Sequence, residues 1–264
     1  MVNPQVPKVV LLSGADDQLV RYTSALQQLE DANIGTHAIV GGFAVMLRLA
    51  SAHRVTEDLD AVAWTPDGTS DAPIRILMQH GATRSRNGVD LGDTHIDLIA
   101  VSDYDPDQLP DDPKDAMFVV SHSFALTTAT SIEVETLNTF HNVAARATAQ
   151  VAGCAALVAM KLGAVNRRRG TSLHKRSSDA FDIYRLLAEH DRNSEVATTL
   201  ASAPDGLGRW CAYESREIFD NNLGQTKRWL NNGSPDMASI TTDQLRTVGT
   251  LFADALDDQA DRGS

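Results

Sequence analysis

Cysteine, long apolar runs and positive charge are all scarce in this chain, and each scarcity excludes something. Two cysteines in 264 residues are too few for a disulfide framework or a cysteine-rich zinc module. Cys154 lies in an apolar run and Cys211 beside Trp210, so both read as reduced, packed thiols of a cytoplasmic protein. No apolar stretch is long enough to cross a bilayer, which removes membrane-spanning classes, and 42% hydrophobic residues suit one large domain or two small ones. The opening MVNPQVPKVVLLSG has one lysine and a short apolar core, so no signal peptide is expected. The eight histidines include no pair at the i, i+4 spacing of a helical zinc site. A net charge of −12 argues against indiscriminate binding to nucleic acid, although the distribution of charge decides more than its sum.

What is present concentrates in AIVGGFAVMLRLASAHRVTEDLDAV, Ala38 to Val62. His37 to Val40 reads as a short buried strand, Gly41 and Gly42 as a turn free of Cβ obstruction, and Phe43 to Leu49 as a packed helix. Backbone amides opening such a helix face an anion well. A second strand from Asp58 to Ala63 carries Asp58 and Asp60, which its two-residue period places on one face. Two hard oxygen ligands side by side suit Mg²⁺, and acids inside an otherwise buried strand are costly without a cation.

A third acid fits the same place. THIDLIAV, Thr94 to Val101, reads as a strand holding Asp97 in its interior, and a neighbouring strand could set that carboxylate beside Asp58 and Asp60. Three convergent carboxylates suit a two-metal site, in which one Mg²⁺ carries nucleotide phosphates and the other lowers the pKa of an attacking hydroxyl.

The ordered set Gly41, Gly42, Arg54, Thr56, Asp58 and Asp60 resembles the signature of polymerase-β-type nucleotidyltransferases in its AbiEii/MenT toxin form. VAGCAALVAMKLGAV, Val151 to Val165, is similar to that family's helix with an essential lysine, here Lys161. Arg176-Ser177-Ser178-Asp179-Ala180-Phe181-Asp182-Ile183-Tyr184 is similar to its basic, Asp-x-x-Asp, aromatic motif, with Ser178 where the family often has lysine. The resemblance spans about Gly41 to Leu187. It implies an α+β fold: a polymerase-β-like mixed sheet with flanking helices, in a core over 1–140, followed by a helical region over 141–264 that completes the site. It also implies an Mg²⁺-dependent enzyme that transfers a nucleoside monophosphate from an NTP, releasing pyrophosphate. Asp58, Asp60 and Asp97 would hold metal, Gly41, Gly42, Arg54 and Thr56 the triphosphate, and Lys161 its charge, with Asp182 orienting Lys161 or the acceptor. The implied acceptor is the 3′ end of tRNA, under control of a separately encoded antitoxin.

The residues themselves speak to part of this. Lys161 ends the apolar run Ala155 to Met160, so its stem is packed and its ammonium is a point charge suited to triphosphate. Asp179 follows Ser177 and Ser178 in an expected first helical turn, where the helix dipole favours an acid, so Asp182 is the expected partner of Lys161. From Arg146 to Arg185 there are eight Lys and Arg against two acids, including Arg167, Arg168, Arg169, Lys175 and Arg176, a candidate track for RNA phosphates. The stretch Asp103 to Asp115 is by contrast acidic and proline-rich.

Helices are further expected over Gln18 to Asp31, Ile74 to His80, Val151 to Val165, Ser178 to Glu189, Asn193 to Ala201, Leu207 to Trp229 and Thr241 to Asp258. Strand character continues at Ala82 to Arg86, Met117 to Val120 and Ile132 to Leu137. A transferase acting on a small molecule or a protein side chain shares the Gly-Gly and Asp-x-Asp core, and a non-catalytic nucleotide-binding module is the remaining class.

Overall fold

Burial that alternates along some strands and is continuous along others sets their places in one sheet. The computed structural model describes residues 6–54, 56, 58–167 and 173–262, and its secondary structure is α+β. Chain packing divides it into two units. The first holds the chain up to Asp103 together with Ala125–Gly153, and the second holds Tyr104–Phe124 and the chain from Cys154.

All the described strands lie in the first unit. They are β1 (Lys8–Leu12), β2 (His37–Val40), β3 (Leu59–Trp64), β4 (Thr83–Arg84), β5 (Gly88–Leu91), β6 (Thr94–Val101), β7 (Thr130–Leu137) and β8 (Val143–Val151). They form a mixed sheet in the order β1-β7-β8-β2-β3-β6-β5-β4. The four residues of β2 are buried throughout, as a central strand covered on both faces requires. In β7 the buried Ile132, Val134 and Thr136 alternate with solvated positions, so one face packs inward. Helix α1 (Gln18–Ala32) covers that inner face with Leu19, Tyr22, Leu26 and Leu29, spaced three and four apart. A buried hydrogen bond between the hydroxyls of Thr23 and Thr136, 2.6 Å, fastens it to β7.

Helix α2 (Gly41–Leu49) follows β2 directly, and its apolar residues are buried on all sides. The exception is Arg48, whose Nε donates to the Ala152 carbonyl at 2.8 Å and whose Nη2 donates to Thr130 Oγ1 at 2.8 Å. Strand β3 then returns antiparallel to β2, and β6 lies parallel to β3 after α3 (Asp71–Gln79) and the β4–β5 pair.

Helices make up the second unit: most of α4 (Pro113–Thr127), α5 (Cys154–Arg167), α6 (Leu173–His190), α7 (Glu195–Ala201), α8 (Leu207–Arg216), α9 (Leu223–Asn231), α10 (Pro235–Ser239) and α11 (Thr242–Arg262). Its core is built from Leu157, Leu162, Phe181, Leu186, Cys211, Phe219 and Phe252. None of the described helices is long and apolar enough to cross a membrane.

Several expectations are corrected. Met117 to Val120 is helical within α4, because Asp112 caps that helix, its Oδ1 accepting from the Lys114 N–H at 2.8 Å, and Pro113 opens it. The helix expected over Leu207 to Trp229 is interrupted by a wide turn at Glu217–Asn221, where Asn222 Nδ2 donates to the Glu217 carbonyl at 2.8 Å. Helix α6 begins at Leu173 rather than Ser178. Strand β8 carries the first unit's sheet to Val151, past the boundary expected at residue 140, and 104–124 groups with the second unit.

Candidate active site

In the first unit the candidate site begins where β2 runs into α2. Gly41 has φ +69°, a left-handed conformation at the first helical position, and a Cβ there would stand 2.7 Å from Asp60 Cγ and 2.9 Å from Asp60 Cβ. Glycine is therefore required twice, by backbone conformation and by the close approach of the carboxylate. A Cβ on Gly42 would stand 2.9 Å from Thr56 Oγ1 and 3.0 Å from Arg54 Cζ. Gly41, Gly42, Arg54, Thr56 and Asp60 are thus drawn into one place. The N-cap of α2 is Val40, which supplies no side-chain hydrogen bond, so the helix opens without a side-chain acceptor of its own.

The segment carrying Arg54 and Thr56 is fastened from α1. The Thr56 carbonyl accepts from Gln18 Nε2 at 2.7 Å and from the Tyr22 hydroxyl at 2.8 Å, while the Tyr22 ring meets Phe43 edge-on at 5.3 Å. These two donors were not legible in the sequence, because nothing local ties residue 18 or 22 to residue 56.

Asp60 and Asp97 are register partners on the adjacent parallel strands β3 and β6, so their side chains leave one face of the sheet as neighbours. On the far side of β6, Asp97 is paired with Gly88. Asp58 stands one residue before β3, half-buried, and its carbonyl accepts from Thr56 Oγ1 at 3.3 Å. Among the described residues no three His, Cys, Asp or Glu side chains form a group that could hold a metal ion. Asp60 and Asp97 make a carboxylate pair, and Asp58 stands two residues before Asp60.

His95 completes this face. Its Nε2 lies 3.1 Å from Asp97 Oδ1 and its Nδ1 lies 2.6 Å from Asp90 Oδ1, with Ser85 Oγ at 3.2 Å from the same nitrogen. Ionised carboxylates only accept, so both bonds together call for N–H on both ring nitrogens. Burial opposes that charge, but the hydrogen bonds to Asp90 and Asp97 outweigh it and hold the imidazole above the ordinary histidine range. His95 lies two residues before Asp97 in THIDLIAV, so the strand period already placed both on one face. Its partner Asp90 comes from β5, a strand that local pattern does not mark.

The second unit assembles the other candidates. Lys161 on α5 points its ammonium between two carboxylates of α6, 2.7 Å from Asp179 Oδ1 and 3.0 Å from Asp182 Oδ2, with all three residues buried. The expected Lys161–Asp182 pairing is present. The reading of Asp179 as a first-turn acid is corrected: with α6 starting at Leu173, Asp179 lies in the helix interior and faces Lys161 one turn from Asp182.

The basic track is partly committed internally. Arg167 pairs with the Asp115 carboxylate, and its guanidinium lies 4.3 Å from the centroid of the Phe118 ring. Arg176, a candidate phosphate contact of that track, is buried with its guanidinium 5.3 Å from the Trp229 ring. Lys175 is exposed, and Arg168 and Arg169 lie outside the described residues. Both cysteines are free, and burial pushes the Cys211 thiol far up, consistent with a packed, unreactive side chain.

No family model matches this chain, and no curated protein matches it.

Proposed function

We propose that this chain is a nucleotidyltransferase of the polymerase-β-like class, transferring a nucleoside monophosphate from an NTP to an acceptor hydroxyl with release of pyrophosphate. The single observation that carries the reading is the junction of β2 and α2. There Gly41 leaves room for nothing but the Asp60 carboxylate, Gly42 abuts Arg54 and Thr56, and Asp60 is in register with Asp97. A helix N-terminus, an arginine and two adjacent acids are the parts needed to hold a triphosphate with its cation.

The donor set suits Mg²⁺ that arrives with its nucleotide, since that ion is held by one or two carboxylates plus substrate phosphates rather than by an all-protein cage. Asp60 and Asp97 are the residues that would hold it, and when bound it neutralises phosphate charge and lowers the pKa of the attacking hydroxyl. The acceptor oxygen forms a bond to the α-phosphorus as the bond to pyrophosphate breaks, and in this reading Asp97 completes the metal site or takes the acceptor's proton. Arg54 and the amides of Gly41 and Gly42 hold phosphate oxygens, and Thr56 fixes the Arg54 segment against α1 through Gln18 and Tyr22. For Lys161 the family resemblance implies neutralisation of phosphate charge, with Asp182 orienting it.

The acceptor implied by the resemblance is the tRNA 3′ end, with toxicity restrained by a separately encoded antitoxin. A small-molecule acceptor is the second reading, supported by the internal engagement of Arg167 and Arg176. Incubating the purified chain with each labelled NTP, Mg²⁺ and total RNA, protein extract or small-molecule fractions separates them. Label in tRNA supports the first reading and label in a small product the second, while absence of label in every fraction refutes nucleotidyl transfer.

A further inference from the structure

The two edges of the sheet are built differently. Strand β4 closes one edge with two exposed residues, Thr83 and Arg84, short and charged as edges that resist pairing usually are. Strand β1 closes the other with five residues, KVVLL, and among the described residues its one hydrogen-bonded neighbour is β7. The Pro7 carbonyl accepts from the Glu133 N–H at 2.9 Å and the Ser13 N–H donates to the Leu137 carbonyl at 2.8 Å, so the odd-numbered residues spend their backbone groups on β7. By strand alternation Lys8, Val10 and Leu12 direct theirs outward, along the open edge.

Two of these residues, Val10 and Leu12, present apolar side chains on the solvent face. Val10 is 48% exposed and Leu12 51%. Leu12, Leu137 and Val143 stand in one row across β1, β7 and β8, with Val143 43% exposed and Phe140, at the hairpin tip beyond them, 81%. The charges of this face cancel: Glu135 takes Lys8 at 3.1 Å and Arg146 at 2.9 Å, leaving Glu133, so two cations meet two anions. In a chain of net charge −12 this is a neutral, partly apolar surface. It gives an acidic or basic partner no electrostatic hold, and it lets two identical surfaces meet without the repulsion the rest of the chain carries.

We infer that the open edge of β1 pairs with the β1 edge of a second copy of this chain, antiparallel and centred on Val10. In that register Val10 faces Val10 of the second copy across a twofold axis, and Lys8 faces Leu12 on either side. All three are residues whose N–H and C=O point outward, so each facing pair exchanges both of its hydrogen bonds. The lysine stems lie over leucine, and no like charges are opposed.

Sedimentation of the full chain over a range of concentrations tests this. A reversible dimer is expected, and hydrogen exchange at the amides of Lys8, Val10 and Leu12 should be slow in concentrated solution and quicken on dilution. Val10→Lys sets two lysines against each other on the axis and should weaken dimerisation by roughly tenfold or more, as should Leu12→Lys. Mixing Val10→Lys with Val10→Glu should restore dimers, a result that a merely misfolded variant cannot give. A monomer at every concentration overturns the inference. So does a dimer indifferent to Val10→Lys, or one whose β1 amides exchange at the same rate when diluted.

Discussion

Gly41 and Asp60 are pressed together so closely that any side chain on the first would displace the carboxylate of the second. Asp60 lies opposite Val40 in the β2–β3 ladder, and the chain turns into α2 at the next residue, so the contact is built by strand pairing. Gly41→Ala should therefore fail on two counts, a left-handed φ costing about 1–2 kcal/mol and a displaced Asp60. Gly42→Ala meets only side chains, Arg54 and Thr56, which can shift. We expect the unfolding midpoint in urea to fall clearly for the first and little for the second, with transfer activity lost in the first and NTP affinity reduced in the second.

Asp60→Asn keeps the volume of the side chain and removes its charge beside Asp97. Nucleotide transfer should drop by at least about 100-fold, beyond the range reached by altering groups that only support a metal ligand. Full transfer activity in the folded variant would remove Asp60 from the proposed site.

Lys161→Met leaves Asp179 and Asp182 buried without their shared cation. Breaking such a group from one side costs about 3–5 kcal/mol, so the variant should unfold at much lower denaturant. Lys161→Met combined with Asp182→Asn should recover part of that loss. Equal stability of the wild type and Lys161→Met would show that the trio is not held as a buried ion group. For the proposed activity, any soluble Lys161→Met protein should be impaired in its use of NTP.

His122 supplies a pH dependence whose sign is fixed. Burial holds its pKa down at about 4, helped by the charge of Arg167 and opposed by the Phe118 carbonyl, 2.7 Å from Nδ1. The folded state keeps the ring neutral where the unfolded chain, at about 6.5, takes a proton. Stability from this group is thus complete above about pH 6.5 and falls by up to ~1.4 kcal/mol per pH unit as pH drops toward 4. His122→Asn should flatten that part of the stability profile, measured by urea unfolding at several pH values, and a profile with the wild-type slope would exclude His122 as its source.

If RNA is the acceptor, the basic track should meet its phosphates through Arg168, Arg169 and the exposed Lys175. Replacing all three by alanine should weaken RNA binding and shallow its salt dependence, by up to roughly 0.7–0.9 log units of slope for each phosphate no longer neutralised. Titrations at several salt concentrations read this directly. An unchanged slope would move the weight to a small acceptor.

The sequence by itself determined the pieces that depend on local pattern. The period of two in TEDLDAV and THIDLIAV put acids on strand faces, the glycine pair marked the start of α2, and the apolar run before Lys161 marked α5. What it could not determine was which strands become neighbours. The register of β3 on β6, which sets Asp97 beside Asp60, is decided by long-range pairing, as is the bond from His95 to Asp90 on β5. The alanine-rich β8 has little strand propensity of its own and becomes a strand because β7 pairs along its whole length. The helical start at Leu173 placed Asp179 inward, and the fold buried Arg176 beside Trp229. Local propensity is a property of a few residues, whereas which acids meet and which cations are spent depends on free energy gained only when distant segments bury one another.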